Sequence, residues 1–286
     1  RSVTRPAMQT PIALFDSGVG GLSVLREVRR QLPTEHLIYF ADQAHVPYGP
    51  RTLEEIRIFA RGATHFFLEH RAKAIVIACN AASAASLHFL RELFPEVPFV
   101  GMEPAVKPAA EHTSKGIIGV ITTKATYQGE LFASVIDRFA AGVEVITQVC
   151  PDFVTFVEEG QIDTPAVYRA AEAYLRPLLA TGIDQLVIGC THFPFLTPVL
   201  EEVAGPHVTI IDPSPAVARQ TGRVTAHIRN SSQEMGTTTF FTSGDPEMFR
   251  ALAERLLGES IPPARVQGVR WKDERIIPAS LSSQHG

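Results

Sequence analysis

The chain has 286 residues, 45% hydrophobic and 20% charged, with a net charge of -4. Such a composition belongs to a globular protein with room for two ordinary domains or one large one. The slightly acidic balance argues against nucleic acid or a polybasic membrane surface as partner, although a local pocket can still take a small anion.

In chain order, short β-like apolar runs alternate with helical patterns. Residues 12–15 (I-A-L-F) precede a helix over about 20–31. Residues 37–41 end at Asp42, before a loop holding V-P-Y-G. A helix over about 52–70 leads to a strand at 74–78, then a helix over about 81–94 and a strand at 97–101. The pattern then restarts, with strands at 116–121, 143–147, 185–189 and 208–211. Helices are expected between them over about 125–140, 165–180 and 194–203. A helix over about 213–230, a strand at 238–242 and a helix over about 245–257 close the order. Alternation of this kind predicts an α/β fold with mainly parallel sheets and helices on both faces.

The two halves echo each other. A-I-V-I-A-C-N aligns with Q-L-V-I-G-C-T at an offset of 111 residues, and G-M-E-P-A-V (101–106) aligns with I-I-D-P-S-P-A-V (210–217). We read two similar α/β units facing each other across a cleft. The expected first domain is discontinuous, 8–102 plus 213–270. The second is 103–212, with 1–7 and 271–286 as terminal extensions. The tail from about Lys272 to Gly286, rich in serine, is expected to be poorly ordered.

No apolar stretch reads as a membrane span, and R-S-V-T-R-P-A at the start lacks the apolar core of a signal peptide. Three widely spaced cysteines without C-x-x-C fit free thiols in a reducing compartment. The cytoplasm is the expected location.

In open α/β sheets, ligands bind beyond the carboxyl ends of the strands. The residues there are Asp16-Ser17, V-P-Y-G with Tyr48 and Gly49, Cys79-Asn80, Thr122-Thr123 and Cys190-Thr191-His192. Helix N-termini at such places favour carboxylates and thiolates. A lone Cys79 would read as a small buried hydrophobe. Two cysteines at matching strand ends read as thiols approaching one ligand from opposite sides. One removes a proton from a carbon and the other returns a proton to the opposite face, so the carbon inverts. No cofactor is needed if the site stabilises the carbanion-like transition state electrostatically.

Asp16 and His192 are candidate assistants to the two thiols. Each has a plainer reading: Asp16 as a helix N-cap, and His192 as a metal ligand, for which zinc-type partners are missing. Asn80 and Thr191 also read as caps. Cys150 has no matching partner and reads as structural, while Glu158 reads as a helix-end charge. G-V-G-G (18–21) with Asp42 suggests dinucleotide binding, but Ser23 stands where a third glycine is required, and the paired cysteines stay unexplained. A non-catalytic dicarboxylate-binding module is the other alternative.

F-D-S-G-V-G-G, V-P-Y-G, A-C-N-A-A-S, C-P-D-F-V-T-F-V-E-E-G and G-C-T-H-F-P, in this order, resemble the glutamate racemase family over roughly residues 10–260. The resemblance implies two pseudo-symmetric αβα domains with the active site in the cleft between them. It implies interconversion of L- and D-glutamate without pyridoxal phosphate or metal, supplying D-glutamate for peptidoglycan, with a homodimer as a common assembly. By this resemblance Cys79 takes the proton from D-glutamate and Cys190 from L-glutamate, assisted by Asp16 and His192. Substrate contacts carry over to Asp16, Ser17, Tyr48, Gly49, Asn80, Thr191 and His192, with Glu158 and Thr123 as further contributors. The family usually has Thr after C-N; here it is Ala81, which can offer only its backbone N–H.

Overall fold

A computed structural model describes residues 10–230 and 233–279. The first unit opens with β1 (Ile12–Asp16), α1 (Leu22–Gln31), β2 (Leu37–Ala41), α2 (Leu53–Glu69), β3 (Ala74–Ile77), α3 (Asn80–Leu93) and β4 (Phe99–Gly101). After α4 (Val106–His112), the second unit runs through β5 (Ile117–Thr122), α5 (Lys124–Gln128), α6 (Glu130–Phe139), β6 (Glu144–Val149), α7 (Pro151–Glu158) and α8 (Pro165–Ala180). It continues with β7 (Gln185–Gly189), α9 (Thr197–Ala204) and β8 (Thr209–Ile211). The chain then forms α10 (Ser214–Val224), β9 (Thr238–Thr242), α11 (Pro246–Leu257), β10 (Val266–Lys272) and β11 (Arg275–Pro278).

The strands form two sheets, ordered β11-β10-β9-β2-β1-β3-β4 and β6-β5-β7-β8. The order β2-β1-β3-β4 repeats as β6-β5-β7-β8, so each strand of the second sheet has a counterpart in the first. All pairings are parallel except β10 with β11. The central strands β1, β2, β3 and β7 are buried along their whole length. That is why they read as continuous apolar runs rather than as alternating ones. Each core cluster draws on both sheets; Leu14 and Val76 share one with Ile121 and Ile188.

Local chemistry sets the helix ends. Thr52 and Glu55 form a reciprocal capping box at the start of α2. The expected helix over 125–140 is two helices, with Gly129 between them. A Cβ on Gly129 would lie 2.4 Å from the Cβ of Ala84 on α3. The small residues of A-A-S-A-A-S therefore let the second unit press against the first. The helix expected over 213–230 ends at Val224, followed by a 3₁₀ turn at Ala226–Ile228. Helix α4 was not foreseen, being too short to show a helical period.

The C-terminal reading is corrected. Residues 271–278, expected as part of a poorly ordered extension, complete β10 and form β11, an antiparallel edge hairpin in which Trp271 faces Ile276. Its signal was hidden because the turn at Asp273, with φ 55, is not one that glycine marks. Ser280, Ser282, Ser283 and Gly286 lie outside the described residues.

Candidate active site

The site grows from the equivalent ends of β3 and β7. Cys79 is the N-cap of α3, and its sulfur accepts from the Ala82 N–H at 3.5 Å. Cys190 follows β7 directly. Because the two sheets share one strand order, the fold brings both thiols to the wall of one small pocket. Its wall holds Ser17, Tyr48, Gly49, Cys79, Asn80 and Ala81 from the first unit, and Cys190, Thr191 and His192 from the second. Thr123 and Val154 complete it. Val154 carries no chemical signal in the sequence; only the packing of α7 places it there.

Asp16 stands behind this wall. One carboxylate oxygen accepts from the Gly18 N–H at 2.9 Å, and the other accepts from the Thr191 hydroxyl at 3.0 Å. The Asp16 hydrogen bond thus crosses between the units. Ser23 does the same, its hydroxyl lying 2.9 Å from the Gly20 carbonyl and 3.0 Å from that of Thr191. On the far side, Glu158 ends α7 and lies 2.6 Å from His192 Nε2, while His192 Nδ1 is 3.8 Å from the Cys190 sulfur. Glu158 also accepts from the Val19 N–H at 2.7 Å and from Gln43 at 3.2 Å. It is a helix-end residue, as expected, but it lies half-buried in the cleft, its side chain 12% exposed.

The glycine-rich turn serves this contact. A Cβ on Gly18 would lie 1.8 Å from Glu158 Oε1, and one on Gly20 would lie 2.3 Å from His192 Nδ1. These glycines admit the histidine–glutamate pair of the other unit. Asp42 is equally committed: Tyr48 donates to it at 2.6 Å, Trp271 at 2.7 Å and Ser243 at 2.8 Å, and His45 Nδ1 lies 2.9 Å away. No oxygen is left for a ribose, and the dinucleotide reading falls.

Comparison with known proteins decides the family. The Asp/Glu/hydantoin racemase family model matches residues 17–221. A glutamate racemase from Roseiflexus is 47% identical over 260 residues, covering 90% of this chain and 94% of that protein. A glutamate racemase from Ectopseudomonas mendocina is 48% identical over 252 residues, covering 88% and 96%. The crystal structure of a glutamate racemase isoform from Bacillus anthracis superposes with TM-score 0.85 at 34% identity, covering 94% of this chain and all of that one.

The chain belongs to the glutamate racemase family. It is an isomerase with the two-unit αβα architecture of that family.

The electrostatics of this family member follow from burial. Burial pushes the Cys79 thiol well above its ordinary value, and the Asp16 charge pushes further; the Ala82 and Ser17 N–H groups oppose them. Burial also raises Asp16, tempered by His192 and the Gly18 and Gly21 N–H groups. For His192, burial disfavours the imidazolium, but Cys190 and Glu158 outweigh it and hold the pKa well above 6.5. Glu158 resists burial through His192, the Val19 N–H and Gln43, and its pKa is lowered. Asn80 has both side-chain polar atoms buried without a hydrogen-bond partner. Among the described residues, no group of three or more His, Cys, Asp or Glu side chains is arranged to hold a metal. No helix among them is long and apolar enough to cross a membrane.

Proposed function

We propose that the protein interconverts L- and D-glutamate by two-base proton transfer between Cys79 and Cys190. One observation carries this reading: thiols from equivalent strand ends of two similar units line one small pocket. The unpartnered amide of Asn80 in the same wall supports it, since a buried amide without a partner costs about 1–3 kcal/mol until a ligand satisfies it. The dicarboxylate-binding alternative explains Asn80 but leaves the thiols and the His192–Glu158 pair idle.

In the L to D direction, the Cys190 thiolate takes the α-hydrogen and the Cys79 thiol gives its proton to the opposite face. The Cα–H bond breaks, an S–H bond forms at Cys190, and the electron pair left on Cα takes the proton from Cys79. The reverse direction exchanges the roles. Asp16 and His192 restore the thiols between turnovers: His192 Nδ1 lies 3.8 Å from the Cys190 sulfur, and the Asp16 charge acts on the Cys79 thiol from behind the wall. The N-terminus of α3, with the Asn80 and Ala81 N–H groups, faces the substrate carboxylate. Ser17, Tyr48, Gly49, Thr191 and Thr123 enclose the rest of the molecule. No cofactor or metal enters the reaction. Glutamate complexes of family members support the substrate: the Francisella tularensis enzyme, 29% identical with TM-score 0.80, was crystallised with D-glutamate.

Circular dichroism on L-glutamate in deuterated buffer tests the reading. Racemisation should proceed with deuterium incorporated at Cα. Cys79→Ala and Cys190→Ala should each lower kcat by about 10²–10⁴-fold or more. Full activity in either variant would overturn the two-base assignment, and glutamate binding without racemisation by the unaltered protein would favour a binding module. The product fits supply of D-glutamate for peptidoglycan in the cytoplasm, which growth rescue of a D-glutamate-requiring bacterium would check. The expected homodimer is checked by sedimentation.

A further inference from the structure

The C-terminal hairpin lies beyond the segment that the family model matches, yet it reaches the active-site wall through two hydrogen bonds. We propose that Trp271 is a positioning residue for substrate binding, acting through Asp42 on Tyr48. The inference rests on glutamate racemisation as the reaction.

The chain of contacts is short. The Trp271 indole N–H donates to Asp42 Oδ1 at 2.7 Å, and the Tyr48 hydroxyl donates to Asp42 Oδ2 at 2.6 Å. Tyr48 lines the cavity and is 2% exposed, so its ring position sets the wall. Asp42 is fully buried, and a carboxylate buried there is stable only while donors converge on it. Four groups do so: Tyr48, Trp271, Ser243 and His45. Removing one leaves the carboxylate free to turn and carry Tyr48 with it.

The hairpin is built to deliver the indole. The Trp271 ring packs against Phe59 at 5.8 Å, His45 at 5.3 Å and Phe40 at 6.4 Å. His45 precedes Tyr48 in the same loop, Phe59 lies in α2, and the Tyr48 ring packs tilted against Phe59 with centroids 5.5 Å apart. Gly62 stands in mid-helix in α2, where glycine is unfavourable relative to alanine. A Cβ there would lie 2.5 Å from the Trp271 ring and 2.7 Å from the Glu274 carbonyl. The helix gives up a favourable residue so that the hairpin can close on it.

The test compares Trp271→Phe with the unaltered enzyme in steady-state racemisation from both enantiomers. Trp271→Phe keeps a ring in the cluster and loses the N–H donor. KM should rise about tenfold in both directions, with kcat changed less than threefold. Combining Trp271→Phe with Tyr48→Phe should give less than the product of the single effects, because both act through one carboxylate. A role confined to stability would lower the melting temperature and leave KM unchanged, and that result, or fully multiplicative effects, overturns the proposal. Should Trp271→Phe fail to fold, the unaltered protein serves. Trp271 is the single tryptophan, so its emission should change saturably with D-glutamate, at the concentration that half-saturates racemisation. An unresponsive emission overturns the proposal, while absence of racemisation in the unaltered enzyme would instead overturn the reaction itself.

Discussion

Glu158 Oε1 accepts at once from His192, in its own unit, and from the Val19 N–H in the other. One carboxylate oxygen thereby fixes the imidazole beside Cys190 and ties the units together across the cleft.

That pairing predicts a pH-dependent stability. Glu158 has a lowered pKa, so its contribution is complete above the unfolded carboxyl value of about 4.3 and is lost as pH falls through the folded value. His192 has a raised pKa, so its contribution is complete below the unfolded value of about 6.5 and is lost as pH rises through the folded value. The pair therefore stabilises most between about pH 4.3 and 6.5. Melting curves of Glu158→Gln across pH 4–9 should show a flatter profile than the unaltered protein. A parallel profile would mean the pair contributes nothing.

Gly20→Ala tests the close approach. The added methyl would stand 2.3 Å from His192 Nδ1, an impossible contact, so the imidazole must shift from Cys190. The expected outcome is a loss of kcat by about 10²-fold or more, as for removal of an acid–base group. Retention of kcat would show that the ring has another productive position.

Asn80→Ala should separate stability from binding. The ligand-free protein carries a buried amide without partners, at a cost of about 1–3 kcal/mol. Its removal should raise, or leave unchanged, the ligand-free melting temperature while KM for glutamate increases. Thermal shift with and without D-glutamate reads both effects, and a large loss of ligand-free stability would contradict the assignment.

Ala81→Thr restores the hydroxyl usual in the resembled family. A hydrogen bond to a charged group contributes about 1.5–3 kcal/mol, so KM should fall about tenfold or more. An unchanged KM would mean that other donors already satisfy the substrate carboxylate.

The linear order made the repeated α/β units and both cysteines legible, because buried parallel strands leave continuous apolar runs and polar residues mark their carboxyl ends. Asp16, Ser17, Tyr48, Gly49, Asn80, Thr191 and His192 could be named for the same reason, whereas Ala81 was named only through the family resemblance. The glycine turn was legible as an exception but not in its purpose. A local pattern cannot show that Gly18 and Gly20 make way for Glu158 and His192, more than a hundred residues away.

The sequence by itself thus determined which proton-exchanging residue types stand at the strand ends, since chemistry resides in residue type and strand-end placement. Tertiary structure decided what each one meets. It turned Glu158 from a helix-end charge into the partner of His192, Asp42 from a candidate ribose ligand into a saturated acceptor, and Trp271 from part of a tail into a hairpin residue that donates to Asp42. Each depends on contacts between segments distant in the chain, and those distances are set by how the two sheets pack, not by any local run of residues.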